Sequence, residues 1–159
     1  MFKPIRKKIN EIDRNATEVL LTFNRRGILA MNGVNGYPYA IPINYFYDNE
    51  TQKIYFHGAK AGHKVDALKD SDKVCFTVYG DEHIDESEPW APYVQSAVVF
   101  GRCRLLEAGP ESIEQLKEFA MKYYPDEALA DDQIARNGRA TQMFEITIEH
   151  ISGKQVQEK

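Results

Sequence analysis

Six residues of the run His-Gly-Ala-Lys-Ala-Gly-His-Lys, positions 57–64, are of types that do chemistry. Gly58 and Gly62 bracket a turn that lets backbone N–H groups approach a ligand. Lys60, His63 and Lys64 crowd the same turn and the first positions of the helix that follows, where the macrodipole favours acids over bases. A bound anion would turn that repulsion into attraction, with phosphate held by backbone donors and lysine at the helix start. The alternative is a solvated strand-to-helix turn carrying surface lysines, and the spacing leaves both open. The run is not a P-loop, because Gly-x4-Gly-Lys-Ser/Thr is absent. His57 stands at the mouth of the turn, where it either contacts a ligand or caps a backbone group. His57 and His63 lack a convincing third metal ligand, so no metal is expected. No Ser-His-Asp order or nucleophile elbow is present.

The elements that must position these residues follow from periodicity. Residues 54–57 alternate as a strand, and Val65 and Leu68 mark the inward face of a short helix. Upstream, residues 37–47 (Tyr-Pro-Tyr-Ala-Ile-Pro-Ile-Asn-Tyr-Phe-Tyr) are strand formers interrupted by Pro38 and Pro42. Proline donates nothing to a ladder, so this strand lies at an edge or carries a bulge. Its backbone is then free to face the rim of a planar heterocycle, with the Asn44 amide beside it, or it is an ordinary edge strand. Trp90, Pro92 and Tyr93 either pack a loop or stack on a ring, and Ser96 faces a cavity.

The rest of the chain supplies a frame. Residues 1–8 are a basic surface arm. Asp13 or Asn15 caps a helix reaching about Asn24, with Val19, Leu20 and Phe23 inward and Gly27 as a left-handed cap. Residues 28–31 form a buried strand, and Asn32-Gly33 and Asn35-Gly36 are tight-turn pairs, one for a hairpin and one for a bulge. Residues 48–52 turn. Residues 73–79 form a strand with Val74, Phe76 and Val78 on one face. Residues 81–89 are an acidic, solvated loop. Residues 93–106 form a long strand bent at Gly101. A helix opens at Gly109-Pro110, lined by Ile113, Leu116, Phe119 and Ala120, and stops at Tyr124-Pro125. A short extra helix is expected over 131–136, a last strand over 143–148 and a frayed tail over 153–159. About six antiparallel strands with three short helices between them predict one mainly β domain, a small barrel.

Composition agrees. A chain of 159 residues buries about 70% of its unfolded surface without a staple. The net charge of −4 argues against non-specific nucleic-acid binding. No apolar run spans a bilayer, no signal-peptide core is present, and Cys75 and Cys103 have no metal spacing. A reduced, cytoplasmic protein is expected.

Taken in order, Gly27-Ile-Leu-Ala, residues 37–45, residues 54–64 and Tyr-Val-Gln-Ser-Ala-Val-Val-Phe-Gly at 93–101 form a recognisable series. Over residues 5–150 the chain resembles the nitroimidazole-resistance-related flavoproteins of the pyridoxamine-phosphate-oxidase-like group. The resemblance implies a six-stranded antiparallel split β-barrel that dimerises and binds FMN at the subunit interface. It maps Ala40, Ile41, Pro42, Ile43 and Asn44 along the flavin. It maps His57, Gly58, Ala59, Lys60, His63 and Lys64 to the phosphate and ribityl chain. Trp90, Tyr93 and Ser96 would close the site from the second subunit, and His57 matches the family's proposed catalytic position. The function implied is an FMN-dependent oxidoreductase passing electrons from NADH or NADPH to a small electron-poor acceptor such as a nitroaromatic. The alternative is a non-catalytic flavin- or haem-binding module. Pyridoxamine phosphate oxidation ranks below both, since no arginine-rich second phosphate site is visible.

Overall fold

The computed structural model describes residues 1–157. Eight antiparallel strands form a single curled sheet: β1 (Glu11–Ile12), β2 (Arg26–Asn32), β3 (Pro38–Asn44), β4 (Phe46–Asp48), β5 (Lys53–Ala59), β6 (Lys73–Tyr79), β7 (Tyr93–Leu105) and β8 (Thr141–Gln157). Their order is β3-β2-β6-β7-β8-β5-β4, with β1 added against β8. The six long strands are those that the sequence patterning predicts, and β1 and β4 are short additions. Four helices accompany them: α1 (Arg14–Phe23), α2 (His63–Asp70), α3 (Pro110–Met121) and α4 (Glu127–Asn137). The architecture is a mainly β split barrel.

Curling is set at β7 and β8. Their ladder shifts register between Phe100 and Gly101, so the expected bend is a β-bulge. Beyond it β8 keeps β7 on one side down to Leu105↔Phe144 and takes β5 on the other, from Lys53↔Thr147 to Ala59↔Thr141. Alternation puts Leu29, Ile54, Phe56, Phe76, Val78, Ala97, Val99, Phe144 and Ile146 in one closed core. Phe56 and Phe144 stack at 4.7 Å across the β5–β8 ladder. On the outer face of the same two strands a second cluster, Tyr55, Leu106, Phe119 and Met143, seats α3.

Several local expectations are revised. Asp13 caps α1, its carboxylate accepting from the Ala16 N–H at 2.7 Å. The buried face of α1 is Thr17, Leu20 and Leu21, with Val19 and Phe23 exposed, because Leu21 rather than Phe23 faces the barrel. Gly27 is no cap: it lies inside β2, where a β-carbon would sit 2.2 Å from the Phe76 ring. The buried strand is alternating, with Leu29 and Met31 inward and Ile28 outward. Gly33 and Gly36 both belong to one hairpin connection, the Gly33 N–H donating to Tyr37 and the Gly36 N–H to Gly33. Along α3, Phe119 and Ala120 are buried but Ile113 is exposed. The extra helix α4 starts at Glu127, capped by Asp126, and not at 131. β8 runs far past Ile148. Residues 153–157, read from sequence as a tail, pair with β7 from Tyr93↔Gln157 to Ala97↔Gly153; Glu158 and Lys159 lie outside the described residues.

Candidate functional site

The proline-bearing strand is at the sheet edge, as its sequence requires. β3 pairs only with β2, from Arg26↔Asn44 to Asn32↔Pro38. Every second residue of β3 therefore turns its backbone groups away from the sheet. Ile43 points into the core, while Ala40 and Pro42 lie on the outer face. Asn44 accepts from the Arg26 guanidinium at 2.8 Å. At Tyr45 the chain leaves β3, and its backbone loses ladder partners. The Tyr123 hydroxyl replaces them: it accepts from the Tyr45 N–H at 2.9 Å and lies 2.7 Å from the Tyr45 carbonyl and 2.6 Å from that of Arg25.

β5 ends at Ala59, and Gly62 turns the chain into α2 with φ +122°, a conformation that side chains rarely allow. No side chain caps α2, whereas α1 and α4 are capped by Asp13 and Asp126; at α3 the Ser112 hydroxyl accepts only from the N–H of the N-cap Gly109. Its first N–H groups remain available, and its first turn carries His63 and Lys64 against one acid, Asp66, which faces Lys69 at 3.9 Å. The His63 ring stacks on Tyr39 at 4.0 Å, locking the start of α2 to β3. The structure thus brings the 57–64 turn and the free edge of β3 into one corner.

Within that corner the side chains diverge. Lys64 folds back over β5: its Nζ lies 4.7 Å from the Phe144 ring centre and 5.2 Å from that of Phe56. A β-carbon on Gly58 would come within 2.4 Å of that nitrogen, so the glycine leaves a slot for the lysine. Desolvation holds the Lys64 pKa below the ordinary lysine value, the neighbouring Cys103 thiol opposing it. Among the described residues no carboxylate pairs with Lys64, and its cation rests on aromatic faces. His57 lies on the opposite, outer face of β5, its ring edge-on to Phe119 at 4.7 Å. Partial burial there, with the positive charge of Lys64, holds the His57 pKa below the usual histidine value. The imidazole is neutral at pH 7, one nitrogen a donor and the other an acceptor. Ala59, at the last position of the β5–β8 ladder, and Lys60 just beyond it are exposed.

Trp90, Tyr93 and Ser96 are not part of this corner within one chain. Tyr93 and Ser96 belong to β7, which β6 and β2 separate from β3, and Trp90 is exposed in the loop before it. Among the described residues no group of histidine, cysteine and acids could hold a metal.

Sequence reasoning missed the helical cover. α3 and α4 lie over the outer face of β5 and β8 and enclose two cavities. One, about 420 Å³, is lined by Lys60, Leu116, Ile134, Arg139 and Met143 among others. The other, about 440 Å³, is lined by Arg25, Asn44, His57, Phe119 and Tyr123 among others. A possible signal was the pair Arg25-Arg26, two cations just before a buried strand.

No curated protein matches the chain. Among solved structures, a protein provisionally named for 5-nitroimidazole antibiotic resistance, from Bacteroides thetaiotaomicron, superposes with TM-score 0.77 at 18% identity, over 91% of this chain and 85% of that one. The flavocytochrome Anf3 of Azotobacter vinelandii gives 0.76 at 21% identity, over 95% and 71%. A FAD-binding protein of Mesorhizobium loti gives 0.63 at 20% identity, over 91% and 96%. At these identities the likeness is one of fold. The family model described as pyridoxamine 5'-phosphate oxidase matches residues 13–155, and on that match the chain belongs to this family.

Proposed function

We propose that the protein is an FMN-dependent oxidoreductase working as a homodimer, with the flavin in the corner between β3 and the 57–64 turn. The observation that carries this reading is the start of α2: an uncapped helix beneath three basic residues, facing a strand with a free backbone edge. The names of the flavocytochrome and the FAD-binding neighbour support a flavin in this fold.

The first N–H groups of α2, with Lys60 and His63, would hold the phosphate. Lys64, once swung out of its aromatic slot, adds a charge-assisted contact. The backbone of Ala40, Ile41, Ile43 and Asn44 orients the ring edge, and Pro42, having no N–H, lies flat beside it. Flavin supplies two-electron acceptance from NADH or NADPH and onward transfer to a small electron-poor acceptor such as a nitro compound. His57, neutral and half-sheltered, can donate a proton from one ring nitrogen or orient the acceptor. Trp90, Tyr93 and Ser96 of the partner subunit would close the pocket; their separation from the corner in one chain requires a second copy for that role.

The test is direct. The purified protein is denatured, and the supernatant and an FMN-titrated sample are examined by absorption and fluorescence. Flavin released or bound stoichiometrically supports the reading, and none bound even at added excess overturns it. A second reading, a storage or sensing module, draws on the Mycobacterium smegmatis neighbour named as binding FAD and haem. Tight flavin with no NADH or NADPH oxidation in the presence of nitroaromatic acceptors would favour it.

A further inference from the structure

The two cavities beneath α3 and α4 share Leu116, Ile134, Gly138 and Thr141 as wall residues, so they are two ends of one trough. Its lining is biased in charge. The chain carries 24 acidic and 20 basic residues, yet neither cavity has a single acidic residue in its wall. The walls contain Lys60 and Arg139 at one end and Arg25 at the other. Four other arginines, Arg14, Arg102, Arg104 and Arg136, are engaged with carboxylates. Among the described residues, Lys60 and Arg139 have no ion-pair partner, and Arg25 lies over the Tyr123 ring at 4.9 Å. Between the charged ends the wall is aliphatic: Leu106, Ile113, Leu116, Ile134 and Met143.

We infer that this trough is a binding site for an organic anion with an elongated apolar body, its carboxylate at Arg139, the cation of that end which the flavin reading leaves free, and its chain running towards His57. An apolar tail gains by leaving water along the aliphatic wall. A carboxylate meets the unpaired Arg139 with no acid to repel it, whereas an amine of the same length meets the same cation as repulsion. The binding stands on the trough alone. That the occupant is also the electron acceptor, with its far end at His57, rests on the flavin reading above.

The experiment titrates the full chain, with and without FMN, with decanoate and with decylamine, by calorimetry, and locates the site from isoleucine and leucine methyl NMR shifts. Decanoate is expected to bind at least about tenfold more tightly than decylamine and to shift Leu116 and Ile134. Arg139→Gln removes one exposed anchor and should weaken decanoate by about fivefold. Ile134→Trp fills the trough and should abolish decanoate binding. Thermal unfolding of each variant confirms that it is folded, and neither should change FMN affinity. Absent decanoate binding, equal affinity for the two probes, or indifference to both substitutions overturns the proposal. Decanoate bound by a protein that takes no flavin leaves the trough standing and removes the electron-transfer role. Flavin bound with no decanoate overturns the trough and leaves the flavin reading standing.

Discussion

His57 and Lys64 are seven positions apart in sequence and lie against opposite faces of one strand. The lysine lies against the inner face of β5 and the histidine against the outer face, and the charge of the first lowers the pKa of the second after desolvation. A histidine whose folded pKa is depressed binds fewer protons folded than unfolded. Its contribution to stability is complete above the unfolded value, about 6.5, and declines as pH falls below it towards the folded value. The His57 ring proton signals, followed by NMR against pH, should therefore titrate below 6.5. In Lys64→Met the midpoint should move up, because the cation is gone while the packing on Phe56 and Phe144 is kept. The same substitution should cost FMN binding about 1.5–3 kcal/mol, or about ten- to hundredfold in dissociation constant. An unchanged constant would mean that Lys64 stays in its slot whether or not flavin is bound. His57→Asn should retain flavin and lose acceptor turnover.

At the scale of elements, α3 is fastened to the β3–β4 junction by one hydroxyl. Tyr123→Phe strips the partner from the Tyr45 N–H and from the carbonyls of Tyr45 and Arg25, which should cost about 1–3 kcal/mol in urea unfolding. Lys122 reinforces the fastening, donating to the Asn24 carbonyl at 2.6 Å and lying over the Tyr45 ring; burial, with Arg25 nearby, pulls its pKa down to about 8. A second junction is ionic. Buried Glu145 accepts from Arg104 at 2.7 and 3.1 Å, Lys53 at 3.0 Å and Tyr55 at 3.2 Å. Burial alone would raise its pKa, but these partners win and hold it below the usual carboxylate value. The sign is therefore the opposite of that for the histidine: the contribution is present above about pH 4.5 and lost as pH falls through the folded value. Glu145→Gln should flatten the acid limb of stability against pH, measured by circular dichroism.

The elements were largely legible in the sequence, for identifiable reasons. Strands with strict alternation, the two-proline edge, the Gly101 bulge and the Asp13 cap are local signals, and each is found in place. Gly27 misled because a glycine after a helix also suits a strand pressed against Phe76. β8 was underestimated because Gly153 and the polar residues around it read as a tail, whereas pairing with β7 is a long-range matter. For the site, the turn and the strand edge could be read, whereas their meeting through His63 and Tyr39 is a matter of packing. The inward fold of Lys64, the edge-on Phe119 beneath His57 and the trough under α3 and α4 depend on tertiary packing that no spacing encodes.

For the whole molecule, the outer face of β2, β6 and β7 is unusually apolar for a surface. Ile28, Tyr79 and Phe100 are exposed there, with Ala30, Cys75 and Val98 between them. Phe2 from the arm stacks on Phe100 at 5.4 Å and on His150 at 4.8 Å at its margin. A patch of this kind is what a partner surface would cover. The homodimer proposed above would bury it, so light scattering should give twice the chain mass of 18.2 kDa. Ile28→Asp should yield a folded monomer with weakened flavin binding. A wild-type monomer that binds flavin fully would overturn the shared site.

The placement of β8 has a consequence for biosynthesis. Synthesised after the other seven strands, it is nevertheless the interior strand that joins β7 to β5, and without it the β5–β4 ribbon has no partner in the sheet. A nascent chain can zip β2 to β3 and β6 to β7 while still growing, but the barrel wall stays open until β8 emerges. Ribosome-stalled chains ending before residue 141 should thus be protease-sensitive through residues 53–59, and become resistant there only once residues 141–157 are free to dock.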